Sequence, residues 1–224
     1  MRSNLIFDLE TTGLPPKTRY GDTVSANQPD KYSNCRVVQI CWIIDNVSKP
    51  SESFERSFIV KPNGFTIPSE STDIHGISHD RAISEGTDLI EVLRSLYNDL
   101  VLYPPKRVVC HNLAFDTTVL ASELYRLKLL PRSDHNDLIS HLLDVMENSQ
   151  AVCTMKIGRD ICKLPFPNSA NRTRNTADCW KNPTLTELYK YLSGKDLEGA
   201  HDATVDTRCC AECYKLLKEL TKKT

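Results

Sequence analysis

The sequence lacks any long run of apolar residues. No stretch approaches the roughly 18 apolar residues that a membrane-spanning helix needs, and the opening stretch MRSNLIFDLE has no apolar core of a secretion signal. These absences predict an intracellular protein, cytoplasmic or nuclear, that is not secreted and has no membrane partner. The nine cysteines, an odd number, fit a reducing compartment better than a disulfide framework.

The chain also lacks an excess of positive charge. Its 28 Lys and Arg residues face 29 Asp and Glu residues, which gives a formal net charge of -1. This balance argues against tight binding along long stretches of nucleic acid, although a strand end needs only a few local cations and a metal site. Repeats, low-complexity segments and linkers are missing as well, so the 224 residues, 40% of them apolar, predict a single domain spanning 1–224.

Apolar patterns predict a sheet built first from consecutive strands and then from alternating helices and strands. Residues 4–10 alternate with strand periodicity, with Leu5, Phe7 and Leu9 on one face. Further strands are expected at 37–44, 54–60, 108–110 and 151–153, and helices at 87–102, 113–127, 138–146, 185–192 and 203–220. This order predicts an α/β protein with a mixed five-stranded sheet and flanking helices.

Two acidic residues end the first predicted strand. Asp8 and Glu10 are two positions apart, so both carboxylates point to the same face of the strand. Neighbouring carboxylates repel each other unless a cation joins them, and Mg²⁺ or Mn²⁺ prefers such oxygen ligands. Taken alone, the pair favours a solvated strand end over a metal site, because short motifs arise often by chance.

Three motifs in order strengthen the metal interpretation. FDLETTGLP at 7–15 resembles the first motif of the DEDD exonucleases, a family that includes the epsilon proofreading subunit of bacterial DNA polymerase III. CHNLAFD at 110–116 is similar to the family's His-Asn-x-x-Phe-Asp element, and GAHDATVD at 199–206 to its His-x-Ala-x-x-Asp element. His201 precedes Asp206 by five positions, which is the spacing of the DEDDh branch; the sister branch has Tyr where this chain has Asp202.

The resemblance implies an RNase H-like fold and a 3′→5′ exonuclease that releases nucleoside 5′-monophosphates. It implies two divalent cations, Mg²⁺ or Mn²⁺, whose ligands are Asp8, Glu10, Asp116 and Asp206. His201 is the implied general base, and its loop position with a near-neutral intrinsic pKa suits proton abstraction. The implied contacts to the terminal nucleotide are Thr11, Thr12, Leu14, His75 and Asn112.

Thr11 bears on the substrate. RNA-trimming relatives such as oligoribonucleases resemble this first motif with Met at that position, so Thr11 favours DNA or a broad nucleic-acid substrate. The expected substrate is therefore DNA with single-stranded or frayed 3′ ends. An exoribonuclease stays open as an alternative. A non-catalytic nucleic-acid-binding or polymerase-associated scaffold is a third reading, but it predicts loss of a carboxylate or of His201, and none is lost. A DNA polymerase or a second copy of the chain is left open as a partner.

Three further patterns lie around these motifs. Residues 133–150 depart from the resemblance and predict a helical insertion. A cationic path for the strand is drawn from Lys156, Arg159, Arg172, Arg174 and Lys181, with Trp180 among them. Cys210 and Cys213 form a C-x-x-C pair without a second pair, so a buried helical stripe continued by Leu217 and Leu220 is favoured over a zinc site.

Overall fold

A computed structural model describes residues 3–130, 135–166 and 180–221, and these build a mixed five-stranded sheet. The strands are β1 (Ser3–Thr11), β2 (Val37–Asn46), β3 (Phe54–Ile59), β4 (Pro105–Cys110) and β5 (Gln150–Cys153), in the order β3-β2-β1-β4-β5. The β1–β2 and β2–β3 pairs are antiparallel, and β4 runs parallel to both β1 and β5. The predicted α/β class and the five strands are confirmed.

Eight helices lie in the described ranges, together with short 3-10 turns at Pro29–Tyr32 and Pro50–Glu52. They are α1 (Ser69–His75), α2 (His79–Glu85), α3 (Leu89–Leu102), α4 (Leu113–Lys128), α5 (Asn136–Asn148), α6 (Thr154–Cys162), α7 (Leu185–Ser193) and α8 (Ala203–Thr221). None of the helices in the described ranges is both long enough and apolar enough to span a bilayer.

The two faces of β1 lead into two separate cores. Leu5, Phe7 and Leu9 belong to the larger core, which contains apolar residues of α3, α4 and α5. Ile6, on the opposite face, packs in the smaller core with residues of α7 and α8. Because both faces of the sheet are covered, β2 is apolar almost throughout rather than alternating.

Three helices were not predicted, and each is short. Helices α1 and α2 have seven residues, which is too few for an apolar repeat to emerge from the sequence. Helix α6 has nine residues, as many as the predicted α7, but it follows β5 directly and has no side-chain cap to mark its start. Helix α2 contributes Ala82 to a small third core with Val38, Ile67 and Ile77. Helix α6 packs so closely on α7 that a Cβ added at Gly158 would lie 2.8 Å from a methyl group of Leu188.

The segment predicted as an insertion is helical where it is described. Helix α5 contributes Leu138, Ile139, Leu142 and Val145 to the larger core, and residue 150 already belongs to β5. Residues 133 and 134 lie outside the described residues. That residues 133–150 are an insertion, and that 1–224 is a single domain, both stay predictions.

The predicted cysteine stripe forms one side of α8. Cys210, Cys213 and Leu217 are buried in the smaller core, whereas Leu220 is 44% exposed at the end of the helix. All eight cysteines in the described residues are free thiols. Their burial among apolar side chains explains the stripe without a metal.

Candidate active site

The face of β1 that carries Ile6 continues to Asp8 and Glu10. Strand β1 is central, between β2 and β4, so these two carboxylates project from the middle of the sheet. Alternation along the strand places both acids on the side of α8. Glu10 is buried, and the antiparallel register with β2 shifts between Glu10 and Thr11, where the strand ends.

Asp116 is brought to the same place by β4. That strand runs parallel to β1 and ends at Cys110, and α4 begins three residues later. Asp116 therefore lies in the first turn of α4, where its carboxylate is buried and benefits from the positive end of the helix dipole. The charge of Asp116 contributes to the raised pKa of Asp8, which shows how close the two carboxylates lie.

The third motif forms a tight loop before α8. The backbone at Gly199 and at His201 is left-handed, with φ of 73° and 68°. The backbone N–H of His201 donates to Asp206 Oδ2 at 3.1 Å, so the loop folds onto the first turn of the helix. Asp202 caps α8 by accepting hydrogen bonds from the backbone N–H groups of Thr204 and Val205.

Contacts that the sequence did not reveal fix the start of α8 on the sheet. Gln39 Oε1 in β2 accepts a hydrogen bond from the backbone N–H of Ala203 at 3.0 Å. One turn later, Arg208 pairs with both carboxylate oxygens of Glu55 in β3, each at 2.7 Å. Asp206 lies between these two contacts along α8. The contacts therefore hold Asp206 over β1.

These elements enclose a cleft of about 520 Å³. All five residues predicted as catalytic line it, together with four of the five predicted substrate contacts: Asp8, Glu10, Asp116, Asp206, His201, Thr11, Leu14, His75 and Asn112. Leu14 is 81% exposed at its edge. Three predicted motifs, far apart in sequence, thus meet at one site.

Thr12 is the predicted contact that does not line this cleft. Its side chain is buried, and its hydroxyl accepts a hydrogen bond from the backbone N–H of Arg36 at 2.9 Å. Its carbonyl oxygen accepts a hydrogen bond from the Ser71 hydroxyl at 2.7 Å. Thr12 therefore does not line the cleft, and its hydrogen bonds hold the loop in place from behind.

The four carboxylates repel one another in this buried position. Burial, and then the charges of Asp116, Asp206 and Glu10, raise the pKa of Asp8 well above its ordinary value. Burial likewise raises the pKa of Asp116 and Asp206, and it raises the pKa of Glu10 to about 7. Such shifts show that four negative charges are unstable here without compensation.

The same residues fit a divalent cation. Among the ion pairs of the described residues, none involves any of the four carboxylates. Asp206 Oδ1 is buried without a hydrogen-bond partner, and ligand atoms of Glu10, His201 and Asp206 lie within 4.8 Å of one another. Unpaired oxygen ligands around a common point are what a hard cation such as Mg²⁺ or Mn²⁺ requires.

The raised pKa of Glu10 predicts how the metal-free protein responds to pH. A carboxyl group whose pKa is raised on folding stabilises the folded state below its unfolded pKa, near 4.5, and this contribution is lost as the pH rises through about 7. In EDTA, Tm should therefore fall between pH 5 and pH 8, by about 2–4 °C for each kcal/mol lost. Thermal melts across this range measure the effect.

Two further arms sharpen this pH experiment. Mg²⁺ or Mn²⁺ should raise Tm much more at pH 8 than at pH 5, because protons compete with the cation for the carboxylates. The variant Glu10→Gln should show a flatter decline in EDTA. A metal-free Tm that stays constant or rises from pH 5 to pH 8 would contradict the electrostatic account.

Two buried histidines stand at the cleft. His111, quoted in the second motif but not predicted as a site residue, lies between the Pro183 carbonyl oxygen at 3.1 Å from Nε2 and the Thr154 hydroxyl at 3.0 Å from Nδ1. A carbonyl only accepts, so Nε2 carries the proton, and burial lowers the His111 pKa to about 4. His111 thus ties the start of α4 to the cleft wall at 182–185 as a neutral ring.

His75 was predicted as a substrate contact and is buried in the cleft wall. Its Nδ1 accepts a hydrogen bond from the backbone N–H of Ile77 at 3.1 Å, which places the proton of the neutral ring on Nε2. Burial lowers the pKa of His75, and Nε2 has no partner among the described residues. A neutral N–H donor is therefore available at this wall.

The predicted cationic path is only partly described. Lys181 pairs with Glu187 at 2.5 Å and Arg159 with the adjacent Asp160 at 3.1 Å, so both charges are already engaged. Arg172 and Arg174 lie outside the described residues. The contacts of Arg159 and Lys181 therefore add no support for a cationic path, which stays a prediction.

The mixed five-stranded sheet, with an acidic cleft at the end of its central strand, has the RNase H-like fold that is found in exonucleases. Residues 5–214 match the RNase T family model, described as exonuclease, and this chain belongs to that family. A search of curated proteins gives no significant match.

Similar solved structures include Exonuclease I of E. coli in a complex with single-stranded DNA, in its zinc-bound form. The TM-score is 0.64 at 17% identity, covering 100% of this chain and 42% of that one. Exonuclease I from Methylocaldum szegediense gives 0.64 at 16% identity, covering 98% and 41%. Cell-death related nuclease 4 gives 0.58 at 17%, covering 98% and 64%. The chain spans about two fifths of the length of Exonuclease I, and the likeness concerns the fold.

Proposed function

We propose that the protein is a DEDDh 3′→5′ exonuclease that hydrolyses the terminal phosphodiester bond of DNA and releases nucleoside 5′-monophosphates. The observation that carries this proposal is the cleft in which Asp8, Glu10, Asp116 and Asp206 meet His201. The family match supports the reaction class, and the five-residue spacing from His201 to Asp206 supports the DEDDh branch.

The carboxylates would hold two divalent cations, Mg²⁺ or Mn²⁺. Asp8, Glu10 and Asp206 would hold one cation, and Asp8 with Asp116 would hold the second. The bound cations supply positive charge that offsets the negative charge developing on the attacked phosphate. Glu10 and Asp116 are buried and Asp8 and Asp206 half-buried, which strengthens this effect, because charges act more strongly on each other away from bulk water.

His201 acts as the general base. Its side chain is exposed, and its loop is held to Asp206 through the backbone, so the ring is not needed to fix the loop. The ring takes a proton from the water that attacks phosphorus. The bond from phosphorus to the 3′ oxygen of the preceding nucleotide breaks, and that oxygen takes a proton from solvent to become the new 3′-OH.

The terminal nucleotide lies against the wall formed by Thr11, Leu14, His75 and Asn112. Leu14 offers an exposed apolar surface to the last base, and the Nε2–H group of His75 offers a hydrogen-bond donor. The hydroxyl of Thr12 is used by Arg36, so Thr12 takes part through the loop backbone that it holds in place.

DNA is the proposed substrate, since Thr11 stands where RNA-trimming relatives have Met. The similar Exonuclease I structures, which hold single-stranded DNA and oligonucleotides, support a single strand as the form that enters the cleft. The proposal includes neither a DNA polymerase nor a second copy of the chain as partner.

End-labelled substrates test the proposal directly. A 20-nucleotide DNA strand labelled at its 5′ end should shorten stepwise with Mg²⁺ or Mn²⁺, and a 3′ label should appear at once in a mononucleotide. EDTA and the variant Asp8→Asn should each stop both reactions. Blunt duplex DNA and RNA of the same sequence rank the substrates, and faster RNA hydrolysis would assign the enzyme to RNA. Absence of metal-dependent 3′ shortening on every substrate would refute the exonuclease proposal.

A further inference from the structure

Residues 16–24 form a hairpin that the proposed chemistry does not use. Its base is closed by the backbone N–H of Val24, which donates to the Pro16 carbonyl oxygen at 2.9 Å. Higher up, Thr18 N–H donates to the Asp22 carbonyl oxygen at 2.7 Å, and Gly21, with φ of 91°, makes the turn. The 16–24 hairpin is therefore a hydrogen-bonded element with a defined tip.

The hairpin is anchored at its base and exposed at its tip. The hydroxyl of Tyr32, a fully buried residue, donates to the Val24 carbonyl oxygen. At the tip, Tyr20 is 75% exposed, and the Arg19 guanidinium lies 4.5 Å from the centre of its ring. Because the base is anchored, the backbone that leads to Arg19 and Tyr20 is held in place.

The cations of the hairpin are available to a partner. Among the ion pairs of the described residues, none involves Lys17 or Arg19. In the described residues, Lys17 donates to the hydroxyl of Thr23 at 2.8 Å and Arg19 donates to the hydroxyl of Tyr20, so the partners of both cations are neutral. The chain has a formal net charge of -1, so two such cations beside an exposed aromatic ring do not reflect a general excess of positive charge. They are a local feature of the hairpin.

The hairpin stands beside the cleft. Leu14, two residues before Pro16, lines the cleft, and Thr23 and Val24 on the returning side line a second groove of about 380 Å³. The other wall of that groove includes Thr117 and Thr118 of α4, which directly follow the cleft residue Asp116. The hairpin thus follows directly on the cleft residue Leu14, and its returning side lines the second groove.

We propose that the tip of the 16–24 hairpin binds the nucleic-acid strand outside the cleft, on the 5′ side of the nucleotide being removed. Lys17 and Arg19 contact phosphates, and Tyr20 stacks on a base. Cations combined with an exposed aromatic ring are the usual means of holding single strands without sequence preference. The inference rests on the proposed exonuclease function, because that function brings a strand to the neighbouring cleft.

Substrate length separates this contact from the active site. The double variant Arg19→Gln/Tyr20→Ala should weaken binding of a fluorescent 20-nucleotide DNA strand by roughly 5–50-fold, the range expected for loss of a stacked base and a cation. Binding is measured by anisotropy in EDTA, where no hydrolysis occurs. Removal of one phosphate contact should also reduce the slope of log Kd against log salt by about 0.7.

Turnover is measured on two substrates. The double variant should lose kcat/KM on the 20-nucleotide strand to a similar extent, but it should hydrolyse the p-nitrophenyl ester of thymidine 5′-monophosphate like the parent protein. The variant Lys215→Gln, which removes an exposed charge nine positions beyond Asp206 on α8, is the matched control and should change neither value.

The outcomes separate the two proposals. An unchanged Kd in the double variant, or an equal loss on strand and ester, would overturn the hairpin contact and leave its tip to another partner, such as a protein. If the parent protein hydrolyses neither substrate, the exonuclease proposal fails, while the anisotropy experiment still decides whether the hairpin binds a strand.

Discussion

Replacement of Asp8 by Asn should abolish hydrolysis and at the same time stabilise the metal-free protein. Asp8 shares the cleft with the other three carboxylates, and burial together with the charges of Asp116, Asp206 and Glu10 raises its pKa. Under the proposed function Asp8 would be a ligand of both cations, so its loss would remove several kcal/mol of charge stabilisation and activity should fall by at least about 10³-fold. Asn cannot ionise, so in EDTA the variant should have a higher free energy of unfolding than the parent protein, and the difference should grow as the pH rises.

Activity assays and thermal melts in EDTA measure the two effects of Asp8→Asn. The variant Glu219→Gln is the matched control, because it removes one negative charge at an exposed position near the end of α8 and should leave activity and Tm unchanged. A substantial loss of stability in Asp8→Asn would show that the carboxylate holds the fold together, and would contradict its assignment as a strained metal ligand.

Replacement of His201 should lower kcat by roughly 10²–10⁴-fold, the usual effect of removing a general base. Folding should be preserved, since the ring is exposed and the contact to Asp206 is made by the backbone N–H. The backbone at His201 is left-handed, with φ of 68°, so Ala adds conformational strain that Gly does not. The variants His201→Ala and His201→Gly therefore separate the loss of the base from a change in the loop.

Both His201 variants should lose activity equally if the ring alone matters, and added imidazole should restore part of it. A much larger loss in His201→Ala than in His201→Gly would instead place the effect in the backbone that holds Asp206. Unchanged turnover in His201→Gly would refute the assignment of His201 as the base. Single-turnover hydrolysis of a 5′-labelled strand measures the chemical step in all three proteins.

The strands and the longer helices could be predicted because each carries a local pattern. Residues 4–10 alternate strictly, since one face of β1 meets each core, and α3 repeats its apolar positions over four turns. Helices α1 and α2 were missed because they have only two turns, and α6 because it follows β5 directly, without a cap such as Thr184 provides for α7. Their positions depend on what they pack against, which no short window of sequence contains.

The catalytic residues of the candidate site could be predicted, but the residues that hold them in place could not. Asp8, Asp116 and His201 belong to motifs of definite spacing, and the structure brings all three to one cleft. Gln39 carries no such signal, because its partner, the backbone of Ala203, is 164 positions away in the chain. For Thr12 the sequence indicated the right loop, while the contact with Arg36 turned its side chain away from the cleft.

The sequence by itself thus determined the α/β class, the order of the motifs and the acidic character of the site, because strand alternation and carboxylate spacing are local properties of the chain. Only the tertiary structure decided that four carboxylates share one buried cleft and that His201 is held to Asp206. It also decided that the 16–24 hairpin stands beside that cleft. Desolvation, mutual repulsion and long-range hydrogen bonds exist only between residues that folding has brought together, and these interactions set the charge state of the site.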